Sequence, residues 1–149
     1  MFTQYIHSPL GPVKISASAN GITEICFIDN IAPATPSALT KQAAQQLDDY
    51  FNAKLTQFNL PLDATGTAFQ HQVWQALCRV PFGTTCSYAA IASDINNVKA
   101  VRAVGAANGR NPIAIVVPCH RVIGANGTLT GYAGGLDKKA WLLKHEQRP

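Results

Sequence analysis

The pattern of apolar residues changes abruptly along this chain of 149 residues, and that change constrains the fold most. Short β-type runs at 2–8, 13–18 and 22–28 are separated by turn signals, including the hairpin signal Asn20-Gly21. From Thr67 onward the apolar residues follow helical spacing instead. Strands first and helices afterwards are typical of an α/β (α+β) chain with segregated elements.

The first part of the chain, 1–66, is predicted to be a small sheet with one covering helix. After a loop rich in Pro and Ala, a helix is expected to begin near Ser37, and its apolar positions recur at helical spacing. Residues 59–62 are expected to add one more strand. We find no chemistry in this domain, and the change of pattern places its boundary at about residue 66.

The second part, 67–149, is predicted to be a helical domain. A helix is expected over 67–77, and Ser87 is suited to cap a helix that ends near Ile95. Asn96-Asn97 indicates a turn, and a further helix is expected from about Lys99 to Asn108. Two short helices joined by a tight turn are typical of a helix-turn-helix.

The second helix of that pair has almost no side-chain bulk, because Ala103, Gly105 and Ala106 follow one another closely. Such a helix can approach another backbone closely. The pattern leaves two interpretations open: tight packing on a neighbouring helix, or close approach to a DNA groove.

Charge is unevenly distributed along the chain. The formal charge is +4, with a net of −2 before Thr67 and +6 from Thr67 onward. A polyanion would therefore bind the second domain, although a solvated, slightly basic surface explains the same balance. With 47% hydrophobic and 13% charged residues, the composition is that of a globular protein and not of a disordered one.

The four cysteines include no CxxC pair, and no histidine cluster has zinc spacing, so we expect no metal site. No signal peptide or membrane span is recognisable, and we therefore expect a cytoplasmic protein with reduced thiols and no membrane partner.

Candidate chemistry follows the apolar run 113–117, which is expected to be buried as a strand or an extended segment. Cys119 comes directly after it, beside His120 and Arg121. Neighbouring cations would stabilise a thiolate there, but a cysteine in an apolar setting is also typical of an inert core residue.

The run Pro118-Cys-His-Arg-Val122 resembles the active-site signature of the O6-alkylguanine-DNA alkyltransferases, bacterial type. Further motifs match in order: Val80-Pro81, Gly83, Ser87-Tyr88, Arg102 to Gly105, Asn111-Pro112, Tyr132 to Leu136, Lys139, Trp141 to Leu143 and His145-Glu146. The resemblance extends over residues 67–146, whereas the first domain resembles the family only loosely. No counterpart of the zinc site of some other members is recognisable.

The resemblance implies DNA repair by stoichiometric, irreversible transfer of an alkyl group from O6-alkylguanine to Cys119, with no cofactor. O4-alkylthymine is left open as a second substrate. His120 would act as the base through a water, and Glu146 would orient its imidazole. Without the resemblance, Glu146 would be interpreted as a surface carboxylate near the C-terminus.

The resemblance also implies how the base is held. Tyr88 would donate toward the guanine ring with Lys139 close by, and Asn111 would bridge the helix and the active-site segment. Backbone carbonyls of Val122 and Cys119 would accept from the exocyclic amine. The Ala133 amide would meet the alkylated oxygen, beside Tyr132. The family often has Ser at position 133, and Ala keeps the amide while losing only the hydroxyl.

The implied partner is duplex DNA containing O6-alkylguanine, bound by a monomer that flips the base out. Arg102 would fill the vacated space from the minor groove, whereas the helix-turn-helix pattern alone predicts a recognition helix in the major groove. Lys99 and Arg110 are expected to contact phosphates. The expected DNA-contacting residues are Ser87, Lys99, Arg102, Ala103, Gly105, Ala106 and Arg110.

Two other functions compete with this interpretation. A non-enzymatic relative that only marks lesions has its cysteine replaced, and Cys119 argues against it. A Cys-His hydrolase would need an oxyanion hole and turnover, and would leave Arg102 and the helix-turn-helix without a purpose.

Overall fold

The N-terminal part of the protein contains a three-stranded antiparallel sheet. The computed structural model of the protein describes residues 1–147. The strands are β1 (Phe2–Ser8), β2 (Gly11–Ala17) and β3 (Ile22–Phe27), in the order β1-β2-β3. Phe2 pairs with Ala17 and Val13 pairs with Phe27. All three predicted β-type runs are therefore confirmed as strands, within two residues at each end.

Helix α1 (Ala38–Phe51) packs against all three strands. Its first turn is fixed by a capping box, in which the Ser37 hydroxyl accepts from the Thr40 amide and the Thr40 hydroxyl accepts from the Ser37 amide. The Thr40 hydroxyl also donates to Gln4 Oε1 on β1 at 3.1 Å. The helix predicted to begin near Ser37 is confirmed.

The strand expected over 59–62 was wrong. Only Leu62 forms a β-bridge, a parallel one with Ile22. Pro61 has no N–H to donate, so the pairing stops at two hydrogen bonds, one to its carbonyl and one from the Asp63 amide. At Gly21 a Cβ atom would lie 2.9 Å from the Leu62 carbonyl carbon, so only glycine allows this close approach.

Four helices dominate the described residues from Gly66 onward. They are α2 (Ala68–Cys78), α3 (Tyr88–Asp94), α4 (Val101–Gly109) and α5 (Leu136–Glu146). Two short strands, β4 (Cys86–Ser87) and β5 (Val122–Ile123), pair in parallel. A 3₁₀ turn, Cys119–Arg121, leads directly into β5.

The predicted helix-turn-helix is present as α3 and α4, which pack against each other. Asn96 lies in the connecting turn at φ 58°, a left-handed conformation that Asn tolerates well. Helix α2 packs on both helices, and the Trp74 indole donates to the Ala107 carbonyl of α4 at 2.9 Å. None of the helices within 1–147 is long and apolar enough to cross a bilayer.

The segment 113–117 departs from the expected buried strand or extended run. Ile113 makes a single bridge with Ile25 of β3, and a turn follows at once. Ile113, Ile115 and Val117 are buried, but Ala114 and Val116 are only half-buried. The turn places Ile115 at φ 71°, a left-handed conformation that is strained for a β-branched residue.

The fold is of mixed α/β class, as predicted, with one three-stranded sheet, one two-stranded sheet and five α-helices among the described residues. Backbone contacts divide it into two units, the first comprising 1–65 with 112–114 and the second 66–111 with the described residues from 115 onward. Every residue of the candidate site described below belongs to the second unit.

Candidate active site

Cys119 is the first residue of the 3₁₀ turn and is 7% exposed. Its amide donates to the Val117 carbonyl at 2.8 Å, which closes the backbone tightly just before the thiol. Because β5 follows the turn and pairs with β4, the start of α3 is fixed in the same region of the fold. A short apolar segment and a two-residue strand thus hold the thiol in a buried position.

The environment of Cys119 does not favour a spontaneous thiolate. Burial raises the pKa of the thiol above its usual value of 9.0, because a thiolate loses its hydration there. Asn111, by a hydrogen bond, and Lys139, by its positive charge, act in the opposite direction but only partly offset burial. The Asn111 amide also donates to the Val117 carbonyl at 2.8 Å, so it holds the segment before the thiol. Ionising Cys119 at neutral pH therefore requires a base.

His120, next to Cys119, has the properties of that base. Its side chain is fully buried, and its Nε2 lies 2.6 Å from Glu146 Oε2 on α5. Burial lowers the pKa of His120 from its usual value of 6.5, although Glu146 opposes the shift. The neutral imidazole then carries its proton on Nε2 and donates it to Glu146. This leaves the lone pair on Nδ1, which has no hydrogen-bond partner among the described residues.

Arg121 is part of the same buried network, although the sequence indicated it only as a neighbouring cation that would stabilise a thiolate. Its guanidinium binds both carboxylate oxygens of Glu146, at 2.8 and 3.1 Å, and donates to the Val80 carbonyl at 2.8 Å. Phe82 lies beneath it, with 5.7 Å from the guanidinium carbon to the ring centroid. The signal that could have revealed this contact is the Arg that follows His120 in the signature run. A buried carboxylate requires such a countercharge.

Tyr88 and Lys139 meet at Thr130, a residue that sequence reasoning missed. The Tyr88 hydroxyl is hydrogen-bonded to the Thr130 hydroxyl. Lys139 Nζ donates to the Val122 carbonyl at 2.6 Å, and to the carbonyl and hydroxyl of Thr130 at 3.1 and 3.3 Å. Burial lowers the pKa of Lys139, and the proximity of Cys119 opposes that shift. No sequence motif marks Thr130, and its partner Tyr88 lies 42 residues away along the chain.

The remaining residues expected to hold the base differ in exposure. Val122 is fully buried, and its carbonyl already accepts from Lys139. The pKa of the Tyr132 phenol is raised well above 10.0, first by burial and then by negative charge at Cys119 and Glu146. Ala133 is exposed. The structure thus brings Tyr132 within electrostatic reach of Cys119.

The residues expected to contact DNA lie mainly on one exposed face. Lys99 is exposed, as are Arg102, Ala103, Ala106 and Arg110, whereas Val104 and Ala107 of α4 are buried. We call these five exposed residues the α4 surface.

Two other residues expected to contact DNA connect the α4 surface to Tyr88. A Cβ atom at the half-buried Gly105 would lie 3.9 Å from the Tyr88 ring. Ser87 is half-buried, and its hydroxyl accepts from the Ala90 amide at 3.1 Å as the N-cap of α3, directly before Tyr88.

Both parts of the chain match one known family. The model of the 6-O-methylguanine DNA methyltransferase DNA binding domain matches residues 68–148, and that of its ribonuclease-like domain matches 1–64. The methylated-DNA–protein-cysteine methyltransferase of Methanosarcina barkeri is 46% identical over 99% of this chain and 98% of its own length. That of Mycobacterium leprae is 47% identical over 94% of this chain and 88% of its own length. The crystal structure of Mycobacterium tuberculosis OGT in complex with DNA is 45% identical, with a TM-score of 0.89 over 97% of this chain and 92% of that one.

Proposed function

The chain belongs to the 6-O-methylguanine DNA methyltransferase family and repairs DNA by alkyl transfer, and we propose that Cys119 is the acceptor. The proposal rests chiefly on the hydrogen bond between His120 Nε2 and Glu146, which leaves the buried Nδ1 of His120, the residue that follows Cys119, without a hydrogen-bond partner among the described residues. A buried thiol whose pKa is raised needs such a base before it reacts.

In the proposed reaction, the Cys119 proton passes through a water to His120 Nδ1. The thiolate attacks the saturated carbon of the alkyl group in line with the departing oxygen. A sulfur–carbon bond forms, the carbon–O6 bond breaks, and its electron pair remains on the guanine. Glu146 stabilises the imidazolium that results. The product thioether is stable, so each molecule acts once.

The departing guanine carries negative charge, and Tyr88 is the proposed donor that meets it, with the Lys139 ammonium close by. Carbonyls of Val122 and Cys119 would accept from the exocyclic amine. The Ala133 amide would contact the alkylated oxygen. Support comes from the hydrogen bonds that link Tyr88 and Lys139 to Thr130 and Lys139 to Val122.

DNA is the partner through the domain that spans residues 68–148. We propose that the substrate is a duplex containing O6-alkylguanine, and that Arg102 occupies the space left when the base is flipped out through the minor groove. Lys99 and Arg110 would bind phosphates. The small side chains of Ala103 and Ala106 leave that surface free to approach DNA closely.

Further parts of the proposal concern the whole protein. We propose that it acts as a monomer in the cytoplasm, and that residues 1–66 and 67–149 form its two domains. Four cysteines without a disulfide fit a reducing compartment.

Mass spectrometry tests the acceptor directly. After the protein is mixed with an O6-methylguanine duplex, we expect one added methyl group on the peptide that contains Cys119. Cys119→Ala should abolish transfer but still bind DNA, and Cys78→Ala, which changes an exposed thiol, serves as the matched control. Methylation of Cys26, Cys78 or Cys86 in place of Cys119 would contradict the assignment.

A further inference from the structure

Thr130 lies where the two groups proposed to meet the departing base converge. Its hydroxyl is hydrogen-bonded to the Tyr88 hydroxyl, and both its hydroxyl and its carbonyl accept from Lys139 Nζ. Tyr88 begins α3, Lys139 lies on α5, and Thr130 lies in the loop between β5 and α5. The hydroxyl of one residue therefore links two elements that are distant in sequence.

We infer that Thr130 is a positioning residue for alkyl transfer. Its hydroxyl fixes the position of the Tyr88 hydroxyl relative to the Lys139 ammonium. The inference rests on the proposed function, because Tyr88 is there the donor to guanine. It names a residue that the sequence motifs leave unassigned.

Hydrogen-bond chemistry explains why a hydroxyl is needed at position 130. An ammonium only donates, so Lys139 is the donor in its contact with Thr130 Oγ1. Tyr88 has a single proton, which it cannot give to Thr130 and to guanine at the same time. When that proton turns to the base, Thr130 must become the donor if the contact is to persist. A hydroxyl at position 130 can accept from Lys139 and donate to Tyr88 at the same time, which neither a group that only donates nor one that only accepts can do.

Threonine adds rigidity to this contact. Its branched Cβ restricts χ1, so the hydroxyl is held in fewer orientations than that of serine. The carbonyl of Thr130 holds Lys139 independently of the side chain, at 3.1 Å. Replacing the side chain therefore changes the Tyr88 contact while leaving a bond to Lys139 in place.

The test compares Thr130→Val, which keeps the shape and removes the hydroxyl, with Thr130→Ser, which keeps the hydroxyl. Single-turnover transfer to an O6-methylguanine duplex is measured at saturating protein, and DNA affinity is measured separately. We expect Thr130→Val to slow transfer by about 3- to 10-fold with unchanged affinity, because it removes the hydrogen bond to Tyr88 while the Thr130 carbonyl still accepts from Lys139. Thr130→Ser should stay within about twofold of the wild type.

The matched control is Thr128→Val in the same loop. The Thr128 hydroxyl donates to Asn126 Oδ1 at 2.7 Å and is exposed, so this variant should transfer at the wild-type rate. Thr130→Ala repeats the test with a different shape should Thr130→Val fold poorly. An effect of Thr128→Val as large as that of Thr130→Val would mean that the loop as a whole is responsible, and would overturn the inference.

A double-mutant cycle separates positioning from a purely structural effect. Once Tyr88→Phe has removed the phenol, Thr130→Val should add almost nothing, because the two hydroxyls act through one bond. Multiplicative losses would overturn the inference, as would a wild-type rate in Thr130→Val. If the wild-type protein fails to methylate Cys119, the proposed function itself is wrong; if it succeeds while Thr130→Val is unimpaired, only the role of Thr130 is wrong.

Discussion

Glu146 is shared by two partners, and its charge depends on both. Glu146 accepts a hydrogen bond from the neutral His120 imidazole on one side, while Arg121 supplies a full positive charge in direct contact with the carboxylate. The Arg121 and Glu146 side chains are 8% and 1% exposed. A carboxylate in such surroundings is retained only if its countercharge stays in place.

We therefore expect Arg121→Met to lower the free energy of unfolding by about 3–5 kcal/mol, because it removes the positive charge in contact with a buried carboxylate. Denaturant unfolding measures the loss. Arg79→Met is the matched control, since its ion pair with Asp94 at 2.7 Å is about half exposed and should contribute no more than about 1 kcal/mol. Equal losses in the two variants would show that the buried ion pair of Arg121 and Glu146 contributes no more to stability than the exposed pair of Arg79 and Asp94.

His120 makes stability depend on acidity. Burial lowers its pKa in the folded protein, while in the unfolded chain it binds a proton near 6.5. Below about pH 6.5 the unfolded state therefore binds more protons, so the free energy of unfolding falls as pH decreases toward the lower folded pKa.

Unfolding at about pH 7.5 and about pH 5.5 tests this expectation. His120→Gln should show a smaller difference between the two conditions than the wild type, and His7→Gln, which changes an exposed histidine, should behave like the wild type. A wild-type protein that gains stability on acidification, relative to His120→Gln, would refute the argument.

Most residues of the candidate site could be predicted from the sequence, but more from the family resemblance than from physical arguments about individual residues. Cys119 and His120 stand in one short run, and Glu146 was identified only because the family motif reaches it. Thr130 and the contacts that Arg121 makes were missed, since the partners Tyr88, Val80 and Glu146 lie 25 to 42 residues away. A hydrogen bond between such distant residues has no local pattern.

Among the elements, α3 depends on its first cap because it has only seven residues. The Ser87 hydroxyl supplies that cap, and Tyr88 is the next residue. We expect Ser87→Ala to cost about 1 kcal/mol of stability and also to slow alkyl transfer, because the cap fixes the turn that presents Tyr88.

Thr67→Ala provides the comparison, since Thr67 caps α2 by the same type of bond at 3.1 Å. It should cost a similar amount of stability while transfer proceeds at the wild-type rate. Transfer assays beside thermal unfolding distinguish the two variants. If Ser87→Ala transfers the alkyl group at the wild-type rate, the N-cap of α3 is not needed to position Tyr88.

Two exposed arginines, Arg102 on helix α4 and Arg110 at its C-cap, are predicted to have different roles. Arg102→Ala should slow repair of a well-paired duplex strongly and repair of the free alkylated base hardly at all, because nothing is unstacked in the free base. Arg110→Ala should weaken binding to every DNA substrate and flatten the dependence on salt. If Arg102→Ala has the same deficit on duplex and single strand, then Arg102 is only a phosphate contact.

The elements that the sequence predicted well have local signals at their ends. Ser37, Thr67 and Ser87 each cap the helix that they were expected to start. The errors at 59–62 and 113–117 arose where pairing partners are remote: Leu62 meets Ile22, and Ile113 meets Ile25. An apolar run indicates burial, but it does not reveal that each segment pairs with β3 through a single β-bridge instead of a strand ladder.

For the molecule as a whole, one acceptor thiol predicts one repair event. With excess O6-methylguanine duplex, repaired lesions should plateau at one per protein molecule, however long the incubation, because the thioether at Cys119 is not released. Quantifying the remaining lesion against protein concentration gives the ratio. Continued turnover without added reductant would favour a hydrolase.

The polypeptide crosses between its two units three times, since 112–114 belongs with the N-terminal unit. Ile25 of β3 donates to the Pro112 carbonyl and accepts from the Ala114 amide, both at 2.9 Å. On the ribosome, 49 further residues must be added after Thr65 before Ala114 exists. At usual elongation rates that is a delay of roughly 2 to 10 s. During that interval Ile25 lacks the two backbone partners that it has in the folded protein, so we expect this edge of the nascent sheet to be most open to pairing with another chain before Ala114 emerges.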